Sequence, residues 1–153
     1  VCSSDLAKRA TAGGSWGAYY WNGYVYSSEL DRGFDIIELT PNDKLSKNEI
    51  EAAKLMRQAV YNPQSQTKFE WPPAFVVVRS YLDQLVRNQG LAPARTTAIA
   101  AALDAAEAKS GAARKSALTA LAAQVDVDVK GAKDGQRVQW MSDAIKKLAA
   151  QTK

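Results

Sequence analysis

Side chains able to do chemistry are few in this chain of 153 residues, and their absences restrict it as much as their spacing. There is no histidine and a single cysteine, Cys2. That removes imidazole metal sites, Ser-His-Asp and Cys-His nucleophile pairs, and the usual base near neutral pH. Carboxylates remain. Asp126 and Asp128 form an Asp-x-Asp step within Val125-Asp126-Val127-Asp128-Val129. Such a step holds metals or supplies nucleophile and acid in phosphoryl transfer when it follows a buried strand. Here it follows an alanine-rich helical stretch, in which residues two apart point in different directions. It therefore reads as the solvated end of a helix. Glu29, Asp31 and Arg32 crowd one turn, where they would contact a ligand or order the turn through a local salt bridge. Asp35 and Glu38 follow on opposite faces of one strand. The residues assign no catalytic, cofactor-binding or metal-binding position.

The second chemical resource is aromatic. Trp16, Tyr19, Tyr20, Trp21, Tyr24 and Tyr26 fall within eleven residues. Exposed aromatic rings bind sugars or stack bases, whereas rings at strand spacing serve packing between sheets. Nucleic-acid binding needs aromatics interleaved with Lys and Arg. Between residues 15 and 39 the only cation is Arg32, so packing is the expected role and no nucleic-acid partner is expected.

These residues sit on a predicted antiparallel meander. Residues 15–21 and 24–29 flank Asn22-Gly23, the strongest short hairpin signal, because both residues tolerate positive φ in a type I′ turn. Asp31-Arg32-Gly33 turns again before a third strand over residues 34–39. Strand alternation puts Trp16, Ala18 and Tyr20 on one face and Tyr19 and Trp21 on the other, with Phe34 and Ile36 opposed to Ile37 and Leu39. Both faces are apolar, which suits a sheet lying between two other layers.

Trp16-Gly17-Ala18-Tyr19-Tyr20-Trp21-Asn22-Gly23-Tyr24-Val25-Tyr26, followed by Arg32-Gly33-Phe34-Asp35-Ile36-Ile37, resembles the last repeat of bacterial LVIVD-repeat proteins. The resemblance implies a β-propeller-like parent that is secreted or attached to the cell surface, without a settled activity. This chain would be its C-terminal end, and its first partners would be the missing N-terminal blades of the same protein. Val1-Cys2-Ser3-Ser4-Asp5-Leu6 reads as translated adapter DNA, so residues 1–14 are expected to be disordered or artefactual, and Cys2 says nothing about redox compartment.

Beyond the meander (residues 15–40) come connecting helices (41–91) and an alanine-rich three-helix bundle (92–153). Ser46 and Glu49 form a capping box, with Leu45 placed to staple onto Ile50, and the helix they start is expected to reach about Tyr61. Residues 62–71 form a polar extended connector ended by Pro72-Pro73, and a second helix is predicted over 73–88, closed by Gly90. Three more helices are predicted over 93–109, 112–130 and 136–150. Their apolar steps alternate three and four: Ile99, Leu103, Ala106; Leu118, Leu121, Val125; Val138, Met141, Ile145, Leu148. The fold class is thus α+β, a partial blade followed by about five helices.

The net charge is +4, with ten Lys/Arg against ten Asp/Glu over residues 1–91 and ten against six over 92–153. The basic excess of the tail suits an anionic cell-surface polymer. No apolar run approaches the roughly 20 residues a membrane span needs. The expected function is non-catalytic scaffolding or ligand and partner binding. A propeller hydrolase or lyase with its catalytic residues upstream is one alternative, and a helical adaptor docking on an anionic wall polymer is the other.

Overall fold

In a computed structural model, which describes residues 14–30, 33–65 and 67–152, a three-stranded sheet precedes five α-helices. Strands β1 (Ser15–Trp21), β2 (Tyr24–Glu29) and β3 (Gly33–Glu38) pair antiparallel in the order β1-β2-β3. Asn22 and Gly23 both take positive φ, 50° and 107°, as a tight hairpin matching strand twist requires. The register pairs Tyr19 with Tyr26 and Tyr26 with Ile36, so those three share a face. One departure from simple alternation occurs. The β1–β2 register shifts between Ser15 and Gly17, leaving Trp16 as the extra residue of a bulge. Trp16 therefore leaves the Ala18–Tyr20 face and is 79% exposed.

Helix α1 (Lys47–Lys54) opens as its sequence dictates. The Ser46 hydroxyl accepts from the Glu49 N–H at 3.1 Å, and Glu49 Oε2 accepts from the Ser46 N–H at 2.7 Å. Glu49 also receives both arms of Arg87 at 2.7 Å each, tying α1 to α2 (Phe75–Arg87). Helix α1 stops at Lys54, well before Tyr61. The reason is tertiary: the Gln58 N–H donates to Asn22 Oδ1 at 2.8 Å instead of to a helical carbonyl. Helix α2 starts at Phe75, two residues past Pro73, with Ala74 extended at φ −147° as its N-cap.

Helices α3 (Pro93–Glu107), α4 (Gly111–Asp128) and α5 (Gly135–Gln151) complete the chain. The three form the predicted bundle, and α2 joins the same core. Val78, Leu82 and Leu85 of α2 are buried with Ile99 and Leu103 of α3, Leu118, Leu121 and Val125 of α4, and Val138, Met141 and Ile145 of α5. Helix α2 packs on α3 and α5, α3 on α4, and α4 on α5, so the four close into a ring. Short connections make sequence neighbours antiparallel. At one end Gly90, just past α2, meets the start of α5, with the Asp134 N–H donating to the Gly90 carbonyl at 3.0 Å. Gly90 is there for space. A Cβ would fall 2.6 Å from Asn88 Oδ1, 2.8 Å from Asp134 Cβ and 2.9 Å from Leu85 Cδ2. The left-handed residue at this helix end is Gln89, at φ 53°.

The Arg87 guanidinium and the Ser46 N–H hold the Glu49 carboxyl at about 2, against an ordinary value of 4.5, overcoming the opposing effect of burial. A depressed carboxyl pKa adds stability that is complete above about pH 4.5 and disappears as pH falls through about 2. Glu49→Gln is expected to lower the unfolding free energy by about 1.5–3 kcal/mol at neutral pH, the range for hydrogen bonds to charged groups. In urea titrations the gap from the wild type should shrink as pH approaches 2.

Candidate functional site: aromatic surfaces where sheet and bundle meet

The sheet meets the helical part through the β1–β2 turn. Asn22 does most of this. Its Nδ2 donates to the Gln58 carbonyl at 2.8 Å while its Oδ1 accepts from the Gln58 N–H at 2.8 Å, so one side-chain amide pairs with both polar groups of one residue. Arg57 donates to the Asn22 carbonyl at 2.8 Å. Lys54 reaches Glu38 at 3.6 Å, and the Tyr19 ring stacks tilted on Tyr61 at 5.8 Å. Burial pushes the Tyr20 phenol up, partly opposed by the nearby Arg57 and Lys54 cations.

Two concave surfaces flank this junction. The smaller, about 210 Å³, is lined by Tyr20, Trp21, Ala53, Met56, Phe69 and Trp71. The Trp21 indole N–H is sequestered from solvent and has no acceptor among the described residues. The larger, about 490 Å³, runs between the connector, α2 and α5. Phe69, Trp71, Tyr81 and Trp140 supply its rings, and Glu70, Asp143, Lys146 and Lys147 its charges. The Tyr81 and Trp140 centroids lie 6.4 Å apart. Residues 69–73 form one wall of the larger hollow, and Phe69 and Trp71 line both.

A third surface is the sheet face bearing Tyr19, Trp21, Tyr24, Tyr26, Phe34 and Ile36. Its rings touch in series, Trp21 to Tyr26 at 5.9 Å and Tyr26 to Phe34 at 6.0 Å. Phe34 and Ile36 are each 62% exposed, a large apolar area to leave in water. The chemistry these surfaces offer is stacking and apolar contact.

Of the turn residues singled out in the sequence, Glu29 ends β2 and is buried, 7% exposed, with its Oε2 unpartnered among the described residues. It lies beside the Ser15–Ser27 hydroxyl pair (2.6 Å), on the face opposite Tyr19, Tyr26 and Phe34. Asp31 and Arg32 lie outside the described residues, as do residues 1–13. Asp126 and Asp128 diverge as expected for a helix. Asp126 accepts from Ser142 at 2.5 Å and Lys146 at 2.8 Å on α5, while Asp128 accepts from Arg95 at 2.7 Å on α3. They are interhelical ties. Among the described residues no three His, Cys, Asp or Glu side chains cluster to hold a metal.

Sequence reading passed over the residues of the larger hollow. The 62–71 segment reads as polar connector, yet its end, Phe69-Glu70-Trp71-Pro72-Pro73, concentrates rings beside prolines. Trp140 lies off the Val138–Met141–Ile145–Leu148 seam and is 46% exposed, which is the signal that α5 presents a second face.

Fold and surfaces together define an α+β protein with one exposed aromatic sheet face. Compared with known proteins, the chain matches no family, no curated protein and no solved structure.

The four tryptophans report on these surfaces separately. Trp16→Phe should remove the emission most readily quenched by acrylamide, and Trp21→Phe the most sheltered emission, since Trp16 stands in solvent while Trp21 lines the smaller hollow. Equal quenching of the two variants would contradict this placement.

Proposed function

We propose that the chain is a non-catalytic scaffolding and binding piece of a larger surface-associated β protein, in which the sheet is the contact layer for an adjoining sheet and the bundle its helical end-piece. The observation that carries this reading is the solvent-facing run of Tyr19, Tyr24, Phe34 and Ile36. An apolar face of that size costs free energy in water and gains it when covered, at roughly 25 cal/mol per Å² of apolar area removed from solvent. The Trp16–Ile37 resemblance to LVIVD repeats supports an adjoining sheet as the cover.

The alternative of docking on an anionic polymer through the basic tail has less support. Arg95, Arg137 and Lys146 are already paired with Asp128, Asp134 and Asp126. That leaves fewer cations to meet an anion.

The isolated chain should self-associate and bind a hydrophobic dye through its sheet. Phe34→Lys combined with Ile36→Lys should reduce dye binding several-fold and shift sedimentation toward the monomer. A wild-type chain that stayed monomeric at high concentration and bound no dye would remove the reading.

A further inference from the structure

The turn that docks the sheet carries the only Asn-Gly step in the chain. We propose that Asn22 is a site of spontaneous, backbone-assisted deamidation that docking holds in check, and whose reaction releases the sheet from the helices.

The step balances without any oxidant or enzyme. The Gly23 amide nitrogen attacks Cγ of Asn22, and a C–N bond forms. The Cγ–Nδ2 bond breaks, and Nδ2 leaves as ammonia with the proton given up by Gly23. Water then opens the resulting succinimide at either carbonyl, giving aspartate or isoaspartate. The net change is water in and ammonia out, a mass gain of about one dalton.

Two features favour the attack. Gly23 has no Cβ to block its nitrogen. Arg57 donates to the Asn22 carbonyl at 2.8 Å, and that oxygen belongs to the same peptide unit as the attacking nitrogen. A guanidinium there stabilises the negative charge that develops on the amide as its proton leaves.

Two features oppose it: the Gly23 backbone is already hydrogen-bonded to the Tyr20 hydroxyl, and the Asn22 side chain is itself restrained. Both polar atoms of the Asn22 side chain are bonded to Gln58, each at 2.8 Å, so Cγ cannot swing onto Gly23 until both bonds break. The junction thus holds an activated nucleophile beside a restrained electrophile.

The product cannot restore the dock. Aspartate only accepts hydrogen bonds, so the bond to the Gln58 carbonyl is lost and a charged oxygen faces that carbonyl, which pushes the pair apart and opens the Gln58 N–H to solvent. Isoaspartate lengthens the backbone inside a two-residue turn and disrupts its geometry. The four-helix core lies elsewhere and survives either change.

The test is peptide mass spectrometry of the full chain aged in warm, mildly alkaline buffer, with and without urea. Deamidation at Asn22 should run about tenfold or more slower in the native chain than in urea, the order expected from breaking two ordinary hydrogen bonds first. Chain isolated after deamidation should show faster hydrogen exchange at the Gln58 amide with unchanged helical circular dichroism, and Asn22→Asp should do the same. Equal rates in native and urea-unfolded chain would overturn the proposal. So would a deamidated chain that keeps its Gln58 amide protected.

Discussion

One side-chain amide settles how the two parts of this protein relate. Asn22 satisfies both the donor and the acceptor of Gln58, an arrangement that only a carboxamide can make with a lone backbone residue. It accounts for why the chain past Leu55 does not run on as helix to Tyr61, residues 56–58 being irregular. It also brings the β1–β2 turn to the mouth of the hollow that Phe69 and Trp71 line. Beyond the turn, the strands make no close backbone contact with the helices among the described residues. The attachment is narrow, and its strength rests on a few polar contacts and one stacked ring pair.

The helical part has a different economy. Fully buried Leu85, Ile99, Leu103, Leu118, Met141 and Ile145 make a core from four helices, and hydrophobic burial of that kind dominates domain stability. The ion pairs sort by helix pair: Glu49 with Arg87 for α1–α2, Asp104 and Glu107 with Arg79 for α2–α3, Asp128 with Arg95 for α3–α4, and Asp126 with Lys146 for α4–α5. Exposed pairs contribute little to stability, but each distinguishes its own neighbour from the others. The alanine-rich seams would otherwise leave these helices with similar faces.

What could be read from the sequence was local. Ser46 and Glu49 announce the start of α1 because a capping box is closed within four residues. Asn22-Gly23 announces the hairpin because both residues of its two-residue turn take the positive φ that this dipeptide tolerates. The seams of α3, α4 and α5 follow from spacing. What could not be read was set by distant partners. The early end of α1 depends on Asn22, far back in the chain. The entry of α2 into the bundle depends on α5, far ahead. The bulge at Trp16 is a matter of pairing register, which alternation within one strand does not reveal. The larger hollow escaped for the same reason: Trp71 and Trp140 come together only once α2 and α5 lie side by side.

That last adjacency has a mechanical side. Helix α2 begins near the end of α5, where Val77 and Lys147 line one hollow, and it finishes at Gly90 against the start of α5. The strand-bearing segment and the last turn of α5 therefore leave the bundle at the same pole. Tension between them would load α2 against α5 as a zipper, opening one helical turn at a time, instead of shearing the whole interface at once.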